Sequence, residues 1–561
     1  MIISQTPVRI SFAGGGTDLP AFYEREGGAV VSAAIDRYAY AALTERTDAR
    51  LRVTSEDLLI DETYDGAEDL PESLSLVRAV LQKLGLGPGL SLHLESEIPV
   101  GTGLGLSSAV CVNLLNLLLQ HRGERLSKSE LAWLASEIEI RDLGKPIGRQ
   151  DHYAAAFGGL NLIEFERSGV RVKPLDLPEA TLQTLENRLL LFFTGQTRDS
   201  ASILRRQEQR TEQGDPRTLA ALRRLKQLAY ELAGALEEGR LDDFGDLLHE
   251  SWMAKRELSD RISSPQIEAW YDLARDLGAR GGKISGAGGG GFLLLYADED
   301  RHALLREVLT TMGMQELPFR FDRQGSRIIH GEGAQMTPRG YLVGLNSIVR
   351  GLSEKQIERV IGVLEQAYRR GRQVFVMGNG GSAATASHFS CDLAKTVQVG
   401  DKPGFRVLSL TDNAALMTAL GNDVGYEDVF RGQLANLLRP GDVVVGISGG
   451  GRSPSVLNAI RFAQQKGAIT VAFTGMIDGG GPLADLVDYA IVVPSSNYQY
   501  VEDVHMMLVH LMTTILRQRL FEKPSLARPT EGEKAEAKQP NLEGETVDAY
   551  SRRYDSAPST V

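Results

Sequence analysis

The apolar positions along the chain change period several times, and each period predicts a different kind of element. Residues 1–12 and 28–43 mix β-branched and small apolar residues with polar ones, a pattern typical of buried strands. Residues 109–120 are apolar over the length of a helix. A further helix is predicted to begin at Ser127, because Glu130 follows it at the spacing of a capping box. The first part of the chain therefore predicts a mixture of strands and helices.

The pattern changes again in the middle of the chain. Residues 199–260 interleave charged and apolar side chains with few Gly or Pro, which predicts helices. A strand, a glycine loop and a second strand are predicted next, from KISGAGGGGFLLLY. Sustained periodicity is then lost over residues 331–350, where turn residues predict a linker. We therefore expect one α+β domain in residues 1–330.

A different organisation follows the predicted linker. Five short apolar runs alternate there with helical segments, namely QVFVMG, FRVLSL, DVVVGIS, AITVAFTG and YAIVVP. Such alternation predicts a parallel sheet between helices, which is a three-layer α/β/α domain over residues 351–521. Residues 522–561 are polar, charged and poor in aliphatic side chains, so they are predicted to form a disordered tail.

Length and composition narrow the class of protein. A chain of 561 residues exceeds the roughly 250–300 residues of a single hydrophobic core, so two large domains are expected. The net charge of −12 argues against nucleic acid as a partner, because such binding needs concentrated Lys and Arg. Cys111 and Cys391 lie in apolar, helical settings and are expected to be reduced thiols. The chain has no apolar run of 18 residues and no leader pattern, so we expect a cytoplasmic protein without a membrane partner.

A glycine-rich loop carries the first candidate chemistry. Residues 101–108, GTGLGLSS, lead from a predicted strand directly into the apolar helix. Glycines let the backbone approach an anion closely, and the free N–H groups at a helix start favour negative charge. The loop is not a Walker motif, because no Lys follows its last glycine. Taken alone, it is equally compatible with an ordinary turn capped by Ser107 or Ser108.

Three further stretches favour a phosphate site, namely RISFAGGGTDLP, KISGAGGGGF and GKPIGRQDHYAAAFGG. Together and in this order they resemble the GHMP kinases, over roughly residues 1–330. RISFAGGGTDLPAF and GRQDHYAAAFGGLN are most similar to the branch that acts on D-glycero-D-manno-heptose 7-phosphate. The resemblance implies a GHMP kinase fold, ATP and Mg²⁺ as cofactors, and a sugar phosphate as the acceptor.

The resemblance also assigns roles by position. Asp151 would accept the proton of the attacking sugar hydroxyl, and Glu139, twelve residues earlier, would bind Mg²⁺ together with Ser108. Leu106 stands where the family commonly has a small residue, so the choice between Ser107 and Ser108 stays open. Without the resemblance, Asp151 could cap a turn and Glu139 could be a solvated helix residue. The remaining implied contacts are Gly101, Gly103, Gly105, Ser107, Ser108 and Gly288 for the nucleotide, and Arg9, Gly15, Gly16, Thr17 and Asp18 for the sugar phosphate.

Two similar loops occur in the second half of the chain. QVFVMGNGGSAATASHF places Asn379, Gly380 and Ser382 between a strand and a helix, and SGGGRSPSVLNAI places Ser448 and Ser453 after the next buried strand. Ligands bind at the carboxyl edge of open parallel sheets, where both loops are expected. Neither loop has the G-x-G-x-x-G spacing of a dinucleotide fold. They therefore predict a second anion site.

This half resembles the SIS (sugar isomerase) domain over roughly residues 350–520, and GNGGSAATASHF, GNDVGYEDVF and EDVHMMLVH are most similar to phosphoheptose isomerases. Aldose–ketose isomerisation moves a proton through an enediol, which needs a base and an acid. The resemblance makes Asp392 the base and His510 the acid. It assigns phosphate binding to Asn379, Gly380, Ser382, Asp423, Ser448 and Ser453. As an alternative use of the same region, Zn²⁺ would be held by His388, Asp392, Glu502 and His510.

Several residues of this half depart from the family pattern. Asp392 stands in place of the usual glutamate, and Glu502 in place of the usual glutamine. Gly449 and Gly450 replace two hydroxyl residues of the phosphate loop, whereas Arg452 adds a cation suited to phosphate.

The histidines of this half have competing interpretations. His388 lies four residues before Asp392, which puts both on one helix face, but it could also be a core histidine. His505 lies three residues after Glu502 and could replace His510 as the acid.

The two halves together predict consecutive reactions. A bifunctional enzyme would isomerise sedoheptulose 7-phosphate to D-glycero-D-manno-heptose 7-phosphate and phosphorylate it at C1 with ATP. Two alternatives stay open: the same chemistry on another sugar phosphate, such as a hexose, and a SIS domain that is a non-catalytic sugar-phosphate sensor. We expect small-molecule partners and a homo-oligomer, a tetramer formed through the SIS domain.

Overall fold

The computed structural model describes residues 1–196, 200–259, 261–331, 337–476 and 481–521. The described residues form two compact units, of which the first covers Met1–Val343 and the second begins at Gly344. The predicted tail, 522–561, lies outside the described residues. Within the described ranges, no helix combines the length and apolar character that a membrane crossing requires.

The first unit contains an eight-stranded sheet and a four-stranded sheet. The larger sheet has the order β12-β1-β2-β5-β3-β4, with β6 and β7 joined to β2, and the smaller is β11-β8-β10-β9. The strands are β1 (Ile2–Ala13), β2 (Gly28–Glu45), β3 (Leu51–Ser55), β4 (Ile60–Tyr64), β5 (Leu90–Ser96), β6 (Leu160–Glu166), β7 (Gly169–Pro174), β8 (Leu189–Phe193), β9 (Ala279–Ile284), β10 (Phe292–Ala297), β11 (Gln315–Glu316) and β12 (Arg327–His330).

The helices of this unit pack on these sheets. They are α1 (Pro20–Glu26), α2 (Ser75–Leu84), α3 (Leu106–His121), α4 (Lys128–Glu137), α5 (Gln150–Phe157), α6 (Glu179–Asn187), α7 (Ser200–Glu212), α8 (Pro216–Glu237), α9 (Leu241–Arg256), α10 (Pro265–Asp276) and α11 (His302–Thr311). The apolar helix α3 is buried along most of its length against β1 and β2. The predicted capping box is confirmed, because the Ser127 hydroxyl accepts from the Glu130 N–H and Glu130 accepts in return.

The region predicted to be a linker contains a helix. Residues 332–336 lie outside the described residues, but α12 (Pro338–Arg350) is helical. Its apolar residues follow a helical period that the neighbouring turn residues had obscured, and Val343 is buried against Ile3, Tyr40 and Ile329.

The second unit is built around one five-stranded parallel sheet, of order β14-β13-β15-β16-β17. Its five strands fall on the five predicted apolar runs: β13 (Val374–Gly378), β14 (Val407–Ser409), β15 (Val443–Ser448), β16 (Ile469–Gly475) and β17 (Tyr489–Val493). The helices are α13 (Glu354–Arg369), α14 (Gly381–Cys391), α15 (Ala414–Asp423), α16 (Val429–Leu437), α17 (Pro454–Gln465), α18 (Gly481–Leu486) and α19 (Tyr498–Phe521). Alternate residues of the strands face opposite helix layers, so the predicted three-layer fold is confirmed.

The two candidate loops of this unit lie side by side. They follow β13 and β15, which are hydrogen-bonded neighbours with Val374 opposite Val443. Parallel neighbours end at the same edge of a sheet, so both loops open at the carboxyl edge.

Candidate active sites

A cleft of about 360 Å³ in the first unit is formed where the glycine loop after β5 leads into α3. It brings together residues that are far apart in the sequence. Of the residues predicted for this site, its lining contains Arg9, Gly15, Gly16, Asp18, Gly101, Gly103, Gly105, Ser107, Ser108, Glu139 and Asp151.

Two of these glycines are required by close packing. Gly103 has a φ of +84°, and a Cβ there would lie 2.5 Å from the Ser285 carbonyl oxygen. Gly105, at +77°, directly precedes α3, and a Cβ there would lie 3.1 Å from the Asp151 carboxylate. The loop therefore lies directly against both the second glycine-rich loop and the carboxylate, and larger residues would separate them.

The carboxylate of Asp151 is held by a bidentate ion pair. The Nε and Nη2 atoms of Arg9 donate to its two oxygens over 2.8 and 2.7 Å, and Nη1 donates to the Gly103 carbonyl over 2.7 Å. The Arg9 guanidinium is thus directed to Asp151 and to the loop, and its contact with a sugar phosphate stays a prediction. Such a fork fixes the orientation of the carboxylate.

Asp18 is the second carboxylate of this half of the cleft. It accepts hydrogen bonds from the backbone N–H groups of Gly16, over 2.9 Å, and Gln150, over 3.2 Å. Burial, together with the charge of Asp151, raises the pKa of Asp18, although these backbone hydrogen bonds oppose the change.

Two predicted contacts do not face the cleft. The Thr17 hydroxyl donates to the Gly14 and Ala29 carbonyls and accepts from the Ala29 N–H, so it joins the turn to β2. Gly288 packs against Ile262, where a Cβ would lie 2.7 Å from the carbonyl oxygen. Gly286 and Ala287 line the cleft at this loop instead. A contact between Gly288 and the nucleotide stays a prediction.

Glu139 also lines the cleft and is fully buried, on a single π-helical turn, Ile138–Asp142, that follows α4. Its carboxylate accepts from the Ser107 hydroxyl over 2.6 Å and from the Lys145 ammonium over 2.7 Å, and His152 Nε2 lies 2.8 Å away. Burial acts against the charged form, but His152 and Lys145 together lower the pKa of Glu139.

The two adjacent serines differ in their contact with Glu139. Ser107 is exposed and its hydroxyl donates to Glu139, whereas the next residue, Ser108, is buried. The hydroxyl beside Glu139 is therefore that of Ser107, whereas the choice of the serine that binds Mg²⁺ stays a prediction. A hydroxyl and a carboxylate that converge in this way fit Mg²⁺, which takes one or two carboxylates together with phosphate oxygens.

Two cationic residues of the cleft were missed from the sequence. Lys145 donates to both Ser107 and Glu139, at 2.9 and 2.7 Å. Lys255 lies near the end of α9, is only 6% exposed and donates to the Gly286 carbonyl. Burial, with the charge of Arg9, lowers the pKa of Lys255 to about 8, although Asp18 and Asp151 oppose this change. Lys145 lies in the quoted stretch GKPIGRQDHYAAAFGG, from which only Asp151 was singled out, and Lys255 lies in none of the quoted stretches.

A smaller cavity of about 190 Å³ adjoins the glycine loop beside Ser107 and Lys145. Its walls are largely apolar and include Leu74, Val77, Leu94, Val100, Leu106 and Val110. Val100 lines both this cavity and the main cleft, so the two spaces are neighbours.

In the second unit, hydrogen bonds connect the two predicted loops. The Asn379 amide donates to the hydroxyls of Ser453, over 2.6 Å, and Ser455, over 3.0 Å. The Tyr426 hydroxyl donates to the Asn379 side-chain oxygen over 2.9 Å. Ser455 and Tyr426 were missed, because their role depends on the neighbouring loop and not on their own motif.

The remaining predicted anion contacts lie around these loops. Gly380 has a φ of +57° and faces open space. Ser382 is buried in the first turn of α14, and Ser448 is buried at the end of β15. Asp423, in contrast, is exposed at the end of α15, where its carboxylate accepts from the neighbouring Asn422 amide.

His388, Asp392 and His510 converge beside these loops. The two histidine Nε2 atoms are 2.8 Å apart, and they lie 3.6 and 4.0 Å from one Asp392 oxygen. Asp392 is the first residue of a π-helical turn, Asp392–Thr396, and it accepts from the Thr396 hydroxyl over 2.8 Å. Three converging nitrogen and oxygen ligands fit Zn²⁺ with an open fourth position, and they equally fit proton transfer.

Glu502 and His505 lie elsewhere than predicted. Glu502 is outside this cluster, and its carboxylate lies over the start of α14, where a Cβ on Gly381 would be 2.5 Å from it. His505 is fully buried and packs against Phe473 at 6.0 Å between ring centroids. Burial lowers the pKa of His505 to about 4, and the side chain lies in the core and outside the cluster that contains His510.

Comparisons with known proteins divide the chain in the same way. The family described as GHMP kinases N terminal domain matches residues 73–159, and GHMP kinases C terminal matches residues 232–313. The family described as SIS domain matches residues 341–475.

Individual relatives match each part over most of their own length. D-glycero-alpha-D-manno-heptose 7-phosphate kinase of Campylobacter jejuni is 33% identical over 332 residues, which cover 58% of this chain and 97% of the relative. Phosphoheptose isomerase of Geotalea daltonii is 38% identical over 177 residues, 32% of this chain and 90% of the relative. A crystal structure of a D-glycero-D-manno-heptose 1-phosphate kinase from Bacteroides thetaiotaomicron is 28% identical, covers 59% of this chain and 100% of that one, and gives a TM-score of 0.50.

Proposed function

The chain belongs to the GHMP kinases in its first unit and to the SIS domain proteins in its second, and from this premise we propose that it is a bifunctional enzyme of heptose phosphate metabolism. Its isomerase half converts sedoheptulose 7-phosphate to D-glycero-D-manno-heptose 7-phosphate. Its kinase half transfers phosphate from ATP to C1 of that product. Support comes from two relatives whose names describe a kinase and an isomerase of the same heptose phosphate class.

ATP binds with its phosphates on the glycine loop at the start of α3, where backbone N–H groups and the helix dipole favour anions. The apolar 190 Å³ cavity beside the loop receives the base. Ser107 and Glu139 would hold Mg²⁺, which supplies charge neutralisation at the phosphate oxygens. Lys145 adds a positive charge at the same point.

Asp151 accepts the proton of the C1 hydroxyl as its oxygen attacks the terminal phosphorus. The new P–O bond forms, the bond to the leaving ADP breaks, and the proton stays on Asp151 until it exchanges with solvent. Arg9 holds the Asp151 carboxylate in place throughout, because two of its N–H groups are directed at that carboxylate.

In the isomerase half, phosphate binds the two adjoining loops through their backbone N–H groups and serine hydroxyls. Asp392 removes a proton from C1 of the ketose while His510 donates one to the C2 oxygen, which forms the enediol. Return of a proton to C2 and loss of the proton on the C1 oxygen complete the aldose. As an alternative use of the cluster, His388, Asp392 and His510 would hold Zn²⁺, which supplies polarisation of the carbonyl when bound, and Asp392 and His510 would then not be the base and the acid.

We propose a homo-oligomer, a tetramer, formed through the second unit. The support is helix α15, which is apolar in composition and yet has no buried residue. Leu416 on this helix and the neighbouring Val424 and Tyr426 are exposed large apolar side chains. A second copy that covers this face would remove them from water.

The test is product identification by ³¹P NMR after incubation with sedoheptulose 7-phosphate. With Mg²⁺ alone we expect the aldose 7-phosphate, and with ATP added we expect the 1,7-bisphosphate. Hexose 6-phosphates serve as competing substrates. A faster reaction with a hexose phosphate would replace the heptose assignment, and a monophosphate that never gains a second phosphate would exclude the coupled reactions.

One observation favours the sensor alternative for the second unit. The negative charge of Glu502 lies over the helix start that would otherwise attract phosphate. A wild-type protein that binds sedoheptulose 7-phosphate without converting it, and whose kinase rate changes on binding, would establish a sensor.

A further inference from the structure

Lys255 is a buried cation in the cleft of the first unit that the proposed mechanism does not use. It lines the cleft near the end of α9, and nine-tenths of its surface is buried. The ammonium donates to the Gly286 carbonyl, which accounts for one of its three N–H groups. The described residues offer no partner for the other two.

Contacts around Gly286 connect Lys255 to the loop proposed for the donor phosphates and, through Arg9, to Asp151. A Cβ on Gly286 would lie 2.5 Å from Cα of Gly103, so the two glycine loops are in contact. The Gly103 carbonyl accepts from Arg9, and Arg9 holds Asp151. The ammonium is therefore located where the loop for the donor phosphates meets the carboxylate for the acceptor hydroxyl.

Three cations line the cleft, namely Arg9, Lys145 and Lys255. Arg9 is paired with Asp151, and Lys145 is paired with Glu139. Lys255 donates to a backbone carbonyl, and among the described residues no carboxylate forms an ion pair with it. Lys255 is therefore the cation of this lining that can bind a phosphoryl group as it approaches Asp151.

We propose, on the premise of the kinase function above, that Lys255 is a catalytic residue whose two remaining N–H groups bind oxygens of the phosphoryl group during transfer. The bond changes are those already given: the C1 oxygen bonds to the terminal phosphorus, ADP leaves, and the hydroxyl proton goes to Asp151. Lys255 keeps its proton and stabilises charge on the phosphoryl oxygens. Fixed donors of this kind act mainly on the transition state.

The chain offers a matched control in Lys283. This lysine on β9 is also fully buried and donates to the Phe12 carbonyl over 3.1 Å, but it does not line the cleft. Lys255→Met should lower kcat of the kinase about 10²–10³-fold with little change in the KM for ATP. Lys283→Met should stay within a few-fold of the wild type.

The pH profile separates a catalytic from a structural role. Burial and Arg9 lower the pKa of Lys255 to about 8, Asp18 and Asp151 oppose them, and Lys283 is the other basic group close by. Because the charged form is required, kcat of the wild type should fall as pH rises through about 8. The residual activity of Lys255→Met should lack this decrease. Ethylammonium should restore part of the activity of Lys255→Ala.

Nucleotide binding to Lys255→Met, measured by calorimetry, reports whether the kinase unit is folded. The proposal is overturned if folded Lys255→Met keeps the wild-type kcat. It is also overturned if Lys255→Met loses activity but retains the high-pH decrease and ethylammonium does not restore activity to Lys255→Ala. A structural role follows if Lys255→Met no longer binds nucleotide, or if Lys255→Met and Lys283→Met lose the same amount of activity. Either result also overturns the proposal. If the wild type fails to phosphorylate the heptose 7-phosphate at all, the proposed function fails and this inference with it.

Discussion

The guanidinium of Arg9 and the carboxylate of Asp151 form a two-point ion pair that leaves the carboxylate open to the cleft. The Arg9 side chain is 5% exposed, whereas that of Asp151 is 22% exposed. Arg9 is thus an interior residue, whereas the Asp151 carboxylate can be reached from the cleft. This asymmetry is what a fixed proton acceptor needs.

Asp151→Asn should remove the proton acceptor while it keeps the size of the side chain. We expect a loss of about 10²–10⁴-fold in the kinase kcat, with nucleotide affinity retained. Release of ADP in a coupled assay with the heptose 7-phosphate measures the rate. Asp142→Asn is the matched control, because Asp142 forms a more exposed pair with Lys83. Equal effects of both changes would contradict a special role of Asp151.

The two adjacent serines should differ in their effect on the metal requirement. Ser107→Ala removes the hydroxyl that contacts Glu139 over 2.6 Å, and it should raise the Mg²⁺ concentration needed for half-maximal kinase activity several-fold. Ser108→Ala changes a buried residue and should leave that concentration unchanged. Initial rates against free Mg²⁺ at saturating ATP give both values. The reverse order would restore Ser108 as the ligand that the resemblance implied.

The stability of the first unit should depend on pH through Glu139. Its folded-state pKa is depressed despite burial, by His152 and Lys145, so its contribution is present above the ordinary glutamate range near ~4.3 and is lost as pH falls below it. Glu139→Gln should cost about 3 kcal/mol at pH 7, because the buried His152 and the partly exposed Lys145 lose their carboxylate. The difference from the wild type should shrink below pH ~4.

Thermal unfolding at several pH values measures this dependence. Glu124→Gln is the control, since Glu124 pairs with Arg122 at the surface and should cost little. A difference between wild type and Glu139→Gln that does not change with pH would contradict an ionised Glu139.

Glu502→Gln should strengthen phosphate binding in the second unit. It removes a negative charge that lies against Gly381, at the helix start where the sugar phosphate is proposed to bind. We expect the Kd for sedoheptulose 7-phosphate to fall about 5–10-fold at low salt, and the difference to shrink at high salt. Asp503→Asn makes the same charge change at the next, exposed position and should have a smaller effect. Weaker binding in Glu502→Gln would instead make the carboxylate a ligand of the sugar.

The parts of these sites that could be predicted are those where residue type determines backbone geometry. Gly103 and Gly105 were predicted to be loop positions from the glycine-rich stretch between a strand and a helix, and in the structure their positive φ and close packing leave room for glycine alone. His388 and Asp392 were predicted to share a helix face from their spacing, and their side chains lie 3.6 Å apart. In both cases the information is local.

The parts that could not be predicted depend on tertiary packing. Glu139 and Asp392 each lie on a π-helical turn, and neither turn contains a Gly or Pro that would mark it. Lys255 looks like one of many charged positions on a helix, and its burial follows from the loops that pack over it. His505 and His510 are equally plausible acids from spacing, yet one faces the core and the other the cluster.

Asp392→Asn separates the two proposed activities within one chain. The change removes the base but keeps a polar side chain next to His388 and His510, so we expect isomerisation to fall at least about 10²-fold while sugar phosphate still binds. The same protein should still phosphorylate D-glycero-D-manno-heptose 7-phosphate supplied directly, because Asp151 is unchanged. With sedoheptulose 7-phosphate and ATP it should form no bisphosphate, whereas a mixture with Asp151→Asn should form it again. A mixture that stays inactive, with each variant folded and active in its other half, would mean that the product does not pass through solution between the two sites.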